Sequence, residues 1–271
     1  MIVTIMLEIK NKILKKPRKI NRLILYTLSI LFWVAVWQIA AMSIGIDFIL
    51  PSPISTLTKM GEIIIKPDFF ASVGLSMLRV IFGFGMGAIA GSVIAMLGHF
   101  FSPVEVLFTP VLKIIRTTPV SSFILIAVLW IPSSIVPAFI SFLMVLPIVY
   151  GNVMAGLNST DIDLLEMCDM YDLSLTKKLF SLYFPTALPY FGAACMTSLG
   201  LAWKAGIAAE VLCVTKTSIG KYLQQSKLHM ESAELFAWTL TVILVSVLLE
   251  AVIKLISVGV KKASRRRYGR N

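Results

Sequence analysis

Long uncharged stretches recur along the chain. Arg22 is followed by 24 uncharged residues, Leu23 to Ile46, and Val80 to Val104 forms another run of 25. Thr117 to Thr160 carries no charge over 44 positions and is interrupted near its middle by Ile131-Pro132-Ser133-Ser134. Leu179 to Trp203 gives a further 25, entered through Pro185 and Pro189, and Leu235 to Ile253 is uncharged apart from Glu250. A helix needs about 20 apolar residues to cross the roughly 30 Å hydrocarbon core, where no backbone N–H or C=O can be left unpaired. The longest run therefore reads as two spans joined by a tight turn, and the pattern predicts an all-α, polytopic membrane protein with six transmembrane helices. One stretch is ambiguous. Val104 to Arg116 is moderately apolar and ends in Arg116-Thr117-Thr118-Pro119, which fits an interfacial helix or the lower half of a broken third span. The broken span is the favoured reading. Pro119 lacks an N–H and disfavours helix at Thr118, so Thr117 and Thr118 are expected to present kinked or unwound backbone to a path and not to lipid.

Charge sets the direction of these spans. The chain has 271 residues, 58% hydrophobic and 14% charged, against about a quarter charged in a soluble domain. Its formal charge is +11, yet residues 1–22 contribute +6 and residues 254–271 contribute +7, so the rest of the chain carries −2. A nucleic-acid binder spreads basic side chains over a folded face, whereas here they are confined to tails flanking apolar sequence, so no nucleic-acid partner is expected. The positive-inside bias puts both tails in the cytoplasm, and an even number of crossings is what returns the chain to the side it left. The expected order is a cytoplasmic tail (1–22), a first span (23–46), an external segment (47–76), a transmembrane core (77–258) with an inner loop (158–178), and a second cytoplasmic tail (259–271). The first apolar run is too long for a signal peptide and lacks a good cleavage site, so it reads as an uncleaved anchor.

Chemistry is sparse. His99 and His229 are the only histidines and lie far apart, and the three cysteines, Cys168, Cys195 and Cys213, are an odd number, so neither a histidine-based metal site nor a disulfide framework is implied. His99 reads as a polar cap at the inner end of a span. Gly220-Lys221-Tyr222 lacks the first glycine and the hydroxyl residue of a phosphate-binding loop. No catalytic set and no cofactor site is therefore expected, and work for uphill transport must come from elsewhere. An ion-coupled secondary transporter is the alternative class, but such folds often carry inverted repeats, and no convincing internal repeat is visible. Gly83, Gly87, Gly91 and Ala95 recur every four residues and form a small-residue face for close helix packing, within the subunit or between subunits. Lys204 and Glu210 interrupt the fifth span. Charges at membrane depth cost at least about 2.5 kcal/mol unless they face protein or water, so both are expected to point inward. Six residues apart on a helix is too far for a direct pair unless the helix breaks near Gly206, which leaves path lining and structural pairing both open.

The inner loop is the most distinctive segment. Five of the 14 acids, Asp161, Asp163, Glu166, Asp169 and Asp172, fall within 12 residues, followed by Lys177-Lys178. Such a run is ordinarily a solvated face, but its order is informative. Leu164-Leu165-Glu166-Met167-Cys168 reads as a short helix, Tyr171-Asp172 as its exit, and Ser174-Leu175-Thr176 as the start of a second. Phe180, Phe184 and Pro185 are expected to dock that second helix onto the next span.

At these residues the sequence resembles the permease subunits of bacterial ABC importers, whose cytoplasmic loop reads E-A-A, three residues, G, nine residues, I-x-L-P. Glu166-Met167-Cys168 stands for E-A-A, Asp172 for the glycine, Leu182 for the isoleucine and Phe184-Pro185 for the final pair, with spacing intact. Neither alanine is present, and Asp172 replaces a glycine that permits a left-handed turn, a region Asp tolerates better than most residues. Further segments resemble the nitrate/sulfonate/taurine branch: Leu50-Pro51-Ser52-Pro53, Ser76-Met77-Leu78-Arg79 before Gly83-Phe84, Arg116-Thr117-Thr118-Pro119, Ala187-Leu188-Pro189-Tyr190, and Trp203 to Glu210 followed by Ser218-Ile219-Gly220. The resemblance implies a type I ABC importer permease fold in the bacterial cytoplasmic membrane. It also implies a homodimer, with two ABC ATPase subunits inside and a solute-binding protein or lipoprotein outside. In it, Glu166, Met167, Cys168, Asp169, Asp172, Leu182 and Pro185 would form the ATPase-coupling surface, and Arg116 to Pro119, Lys204 and Glu210 are candidates for the translocation path of a small solute.

Overall fold

The computed structural model describes the chain from residue 19 to 268 and its side chains from 24 to 255. Residues 1–18 and 269–271, the outer parts of the two basic tails, lie outside the described residues. Every regular element among those described is helical. In chain order these are α1 (Lys19–Ile44), α2 (Pro53–Ile65), α3 (Asp68–Phe100), α4 (Ser102–Thr117), α5 (Val120–Trp130), α6 (Val136–Asn158), α7 (Ile162–Met170) and α8 (Leu175–Lys178). A π-helical turn (Leu179–Tyr183) then leads to α9 (Phe184–Cys213), α10 (Ile219–Leu228) and α11 (Ser232–Tyr268). Five helical stretches are long and apolar enough to cross a membrane: residues 24–44, 68–100, 136–158, 175–213 and 232–255. A sixth crossing exists if α4 and α5 count as one bent span.

The helices start and stop where local chemistry dictates. Ser52 caps α2, its Oγ accepting from Ser55 N–H at 3.1 Å, with Pro53 in the first turn, where a missing N–H is harmless. Ser218 caps α10 in the same way through Lys221 N–H at 3.0 Å. Between α4 and α5 the chain turns by 108°, because Thr118 and Pro119 are both extended. The Thr117 hydroxyl donates to Lys113 O at 3.1 Å and the Thr118 hydroxyl to Ile114 O at 2.8 Å, which also accepts the Thr118 N–H at 3.0 Å, so both hydroxyls fold back onto the last turn of α4. The interruption falls where the sequence predicts it. The bend is sharp, the geometry of a broken span or a re-entrant segment, so α4 and α5 make the sixth crossing only as a bent pair.

At the centre is α6, packed between α3 and α9 with Val145, Val149, Val153 and Leu157 in the core. The small-residue stripe on α3 makes this approach possible. A methyl group on Gly83 would lie 2.0 Å from Ala138 O, on Gly87 2.8 Å from Phe142 O, and on Gly91 2.7 Å from Leu146 O; Ala95 is fully buried on the same face. The stripe therefore packs within the subunit, against α6. The long exposed apolar side chains of α1, such as Leu28, Phe32 and Trp33, match a lipid-facing surface.

Two segments differ from the sequence-based expectation. Helix α3 begins at Asp68, well before Val80, because Ser72, Ser76 and Arg79, which look like external polar sequence, are turned toward protein. The helix after the inner loop is no separate docked element either. It runs without interruption from Leu175 to Cys213, widened by the π-helical turn just before Pro185, where rings lacking an N–H are easily accommodated. Phe180 and Phe184, expected to dock inward, are exposed instead.

Candidate functional site

Three groups of residues organise the molecule, beginning with the inner loop. Asp161 caps α7 by accepting from Asp163 N–H at 3.0 Å. The helix ends with Asp172 N–H bonding Asp169 O and Leu173 N–H bonding Cys168 O, both at 3.0 Å, with Asp172 at φ 47°. This is the left-handed Schellman termination that glycine usually serves. Asp172 thus occupies the conformation that its place in the motif requires. Glu166 and Met167 project outward on α7, together with Ile162, Met170 and Tyr171, while Cys168 is buried against the subunit. Asp169 pairs with Lys178 across the turn. Leu182 and Pro185, half-buried, belong to the widened stem. The loop therefore presents an apolar and acidic ridge in which Met170 and Tyr171, absent from the sequence-derived set, are the most prominent side chains. Their signal was available, as large apolar residues beside a helix exit.

The second group lies where the first turns of α3 meet the last turns of α9. Glu210 is completely buried. Its carboxylate accepts from Ser76 Oγ at 2.7 Å, Arg79 Nη1 at 3.1 Å and Gly220 N–H at 3.3 Å. Arg79 also donates to Thr217 O at 3.0 Å, and Ser76 Oγ accepts from Ile219 N–H at 3.0 Å. Nothing larger than glycine fits at 220, where a methyl group would sit 2.3 Å from Glu210 Cβ. The network ties α3, α9 and the start of α10 into one clamp. Of the two readings open for Glu210, its burial and hydrogen bonds match structural pairing: the carboxylate is closed off from the surface of the subunit, and its partner is Arg79. Lys204 is not involved, because α9 continues unbroken through Gly206, which is held under Val80 and Ser141. Lys204 is exposed and forms no ion pair among the described residues.

The third group surrounds the α4–α5 break. Arg116 Nη2 donates to Pro147 O at 2.5 Å and lies over Gly151, where an added methyl would meet it at 2.6 Å. It braces α4 on α6. Thr117 and Pro119 are exposed and Thr118 is half-buried. Among the described residues no cluster of three His, Cys, Asp or Glu side chains is placed to hold a metal.

With this geometry the comparisons are direct. Residues 83–262 match the family model of the binding-protein-dependent transport system inner membrane component. The chain belongs to this family. It is 24% identical over 226 residues to the putative aliphatic sulfonates transport permease protein SsuC of Bacillus subtilis, covering 82% of this chain and 81% of that protein. It is 29% identical over 191 residues to the nitrate import permease protein NrtB of Synechocystis, covering 65% and 67% respectively. With the bicarbonate transport system permease protein CmpB of Synechococcus elongatus it shares 26% over 230 residues, 78% of this chain and 80% of that one. Among solved structures, an amino acid ABC transporter crystallised with histidines aligns over 73% of this chain and 94% of its own at a TM-score of 0.58 and 12% identity, a likeness of fold. The chain is therefore a multi-pass inner-membrane permease component of an ABC importer, a transport subunit and not an enzyme, whose family works with separate ATPase and solute-binding partners.

Proposed function

We propose that two copies of this chain form the transmembrane path of an importer for a small anion or other small organic molecule. Two ATPase subunits bind inside and a solute-binding protein or lipoprotein delivers solute outside. Both termini are cytoplasmic in this reading, residues 47–76 begin the external side, and 158–178 is the coupling loop. The observation that carries it is the ridge on α7. Glu166, Met167 and the neighbouring Met170 and Tyr171 are held outward by a capped, Schellman-terminated helix, a rigid protrusion of the kind needed to accept movement from a partner. Buried Cys168 and half-buried Leu182 and Pro185 support it from behind, while Asp169 and Asp172 are exposed beside it.

Solute class is supported by Lys204. It shares one exposed face of α9 with Ala193, Thr197, Leu201 and Ala208, at spacings of three and four residues that define one side of a helix. A lysine at this depth faces water or protein, because lipid is prohibitive, so in this reading the face borders the path, and the exposed Thr117 and Pro119 with the half-buried Thr118 are further candidates for lining it. Relatives named for sulfonates, nitrate and bicarbonate are consistent with a cationic lining. The test is vesicle uptake of nitrate, bicarbonate and ethanesulfonate by permease, ATPase and binding protein together. ATP-dependent uptake of at least one, abolished by omitting the ATPase, is expected. Uptake driven by a proton or sodium gradient without ATPase would overturn the reading.

A further inference from the structure

His99 lies in the last turn of α3, at the inner end. A basic residue there is ordinarily explained by the helix dipole, but its neighbours belong to other elements. The Nδ1–H of His99 donates to Asn158 Oδ1 at 2.8 Å. Its ring stands edge-on to Tyr183, with centroids 5.2 Å apart, and Phe100 meets the same Tyr183 ring at 5.2 Å. Asn158 is the final residue of α6, where the inner loop begins, and Tyr183 closes the π-helical turn that follows the loop. One side chain on α3 therefore touches both stems of the loop.

The surroundings concentrate movement at this point. On the far side of the stems, Gly156 leaves no room between α6 and α9, because a methyl there would lie 2.9 Å from the Tyr190 ring and 3.0 Å from Ala187 Cα. The two stems thus move together. Below them the backbone is weakly tied, since a π-helical turn leads into Pro185, with Pro189 a turn later, and each proline removes a ladder hydrogen bond. At its other end α3 is held to α9 and α10 by Arg79 and Glu210. Helix α3 is a continuous strut of 33 residues, and His99 is where the loop stems join it.

We propose that His99 is a positioning residue for energy coupling, clasping the Asn158 and Tyr183 stems to α3 so that displacement of the loop is passed to the whole length of that helix. This rests on residues 158–178 being the loop that the ATPase moves.

The test uses the full complex with ATPase in nanodiscs and needs no transported solute. Spin labels are placed at Thr176 on the loop or at Leu97 on α3, both exposed, in a background with Cys168, Cys195 and Cys213 replaced by Ala. Distances between the two copies are measured without nucleotide and after trapping with ATP and vanadate. In the otherwise wild-type complex both distances change on trapping. In His99→Ala the Thr176 change is retained while the Leu97 change falls by roughly half or more, as loss of a coupling contact predicts. Tyr183→Leu behaves likewise, and Tyr183→Phe, which keeps the ring, restores the Leu97 change. A Leu97 change of wild-type size in both His99→Ala and Tyr183→Leu would overturn the clasp, as would parallel loss of both distance changes, which would mark His99 as merely structural. If the Thr176 distance does not respond to nucleotide even with His99 present, the coupling-loop reading itself fails, and the inference with it.

Discussion

Removing the carboxylate of Glu210 is the sharpest test of how α3, α9 and α10 are held together. Truncation in Glu210→Ala strands three donors at once: Arg79 Nη1, Ser76 Oγ and Gly220 N–H, now 3.1, 2.7 and 3.3 Å from its oxygens. Arg79 keeps only Thr217 O. Breaking a buried ion pair by removing one member costs about 3 to 5 kcal/mol, chiefly because the other charge is left uncompensated. Arg79→Ala should fall in the same range for the mirror reason. Glu210→Gln keeps the volume and one carbonyl acceptor but loses the charge, so about 1.5 to 3 kcal/mol is expected, the range of a hydrogen bond to a charged group. The double substitution Arg79→Met with Glu210→Leu leaves no buried charge behind, and should recover much of what either single truncation loses. Unfolding in mixed micelles, followed by tryptophan fluorescence, supplies the comparison, and the buried Trp203, on the same helix as Glu210, and Trp238, stacked on Tyr222 of α10, report on it. The reasoning is refuted if Glu210→Ala costs less than about 1 kcal/mol, the level of a solvent-exposed pair, or if the double variant is as unstable as the sum of the singles.

Three further outcomes follow from the geometry. Gly83→Ala should destabilise the subunit by about 1 to 3 kcal/mol or more through overpacking against Ala138, whereas Gly85→Ala, with nothing within 4 Å, should be neutral or slightly stabilising; comparing detergent melting temperatures of the two separates packing from loss of flexibility. Asp172→Gly should relieve left-handed strain worth about 1 kcal/mol and protect the loop from protease, while Asp172→Val should expose it, with uptake following the same order. Cysteines introduced at Lys59 and Glu166 should label with a membrane-impermeant maleimide from opposite sides of the membrane, and labelling of position 166 from outside would sink the six-span topology.

What the sequence made legible is what local chemistry determines. The uncharged runs located the spans because lipid forbids charges, Pro119 marked the break, and the spacing from Glu166 to Asp172 marked a helix with a left-handed exit. Long-range pairing was not legible. Arg79 and Glu210 lie 131 residues apart, and nothing in either local pattern names the other, although the rule that a charge at membrane depth needs a partner applied to both. Reading Arg79 as the boundary of a span hid it, because Ser76 and Arg79 look like solvent-facing sequence until Glu210 and the start of α10 supply their partners. The glycine stripe had the converse character: its existence was plain, and only packing against Ala138, Phe142 and Leu146 identified its partner. Phe180 and Phe184 misled because aromatic residues beside a proline suggest docking, whereas in this π-widened stem the same residues sit outward.

The central claim is that the ridge on α7 is the surface through which the ATPase acts. A photo-crosslinking amino acid placed at Met170, whose side chain is 85% exposed, tests it in the assembled transporter. The account predicts a cross-link to the ATPase subunit from position 170 that changes in yield when ATP and vanadate are added, and none from the equally prominent Trp130 at the opposite end of the bundle. Efficient co-purification of the ATPase with no cross-link from position 170 would contradict it, because the partner would then be held by some other face of the permease.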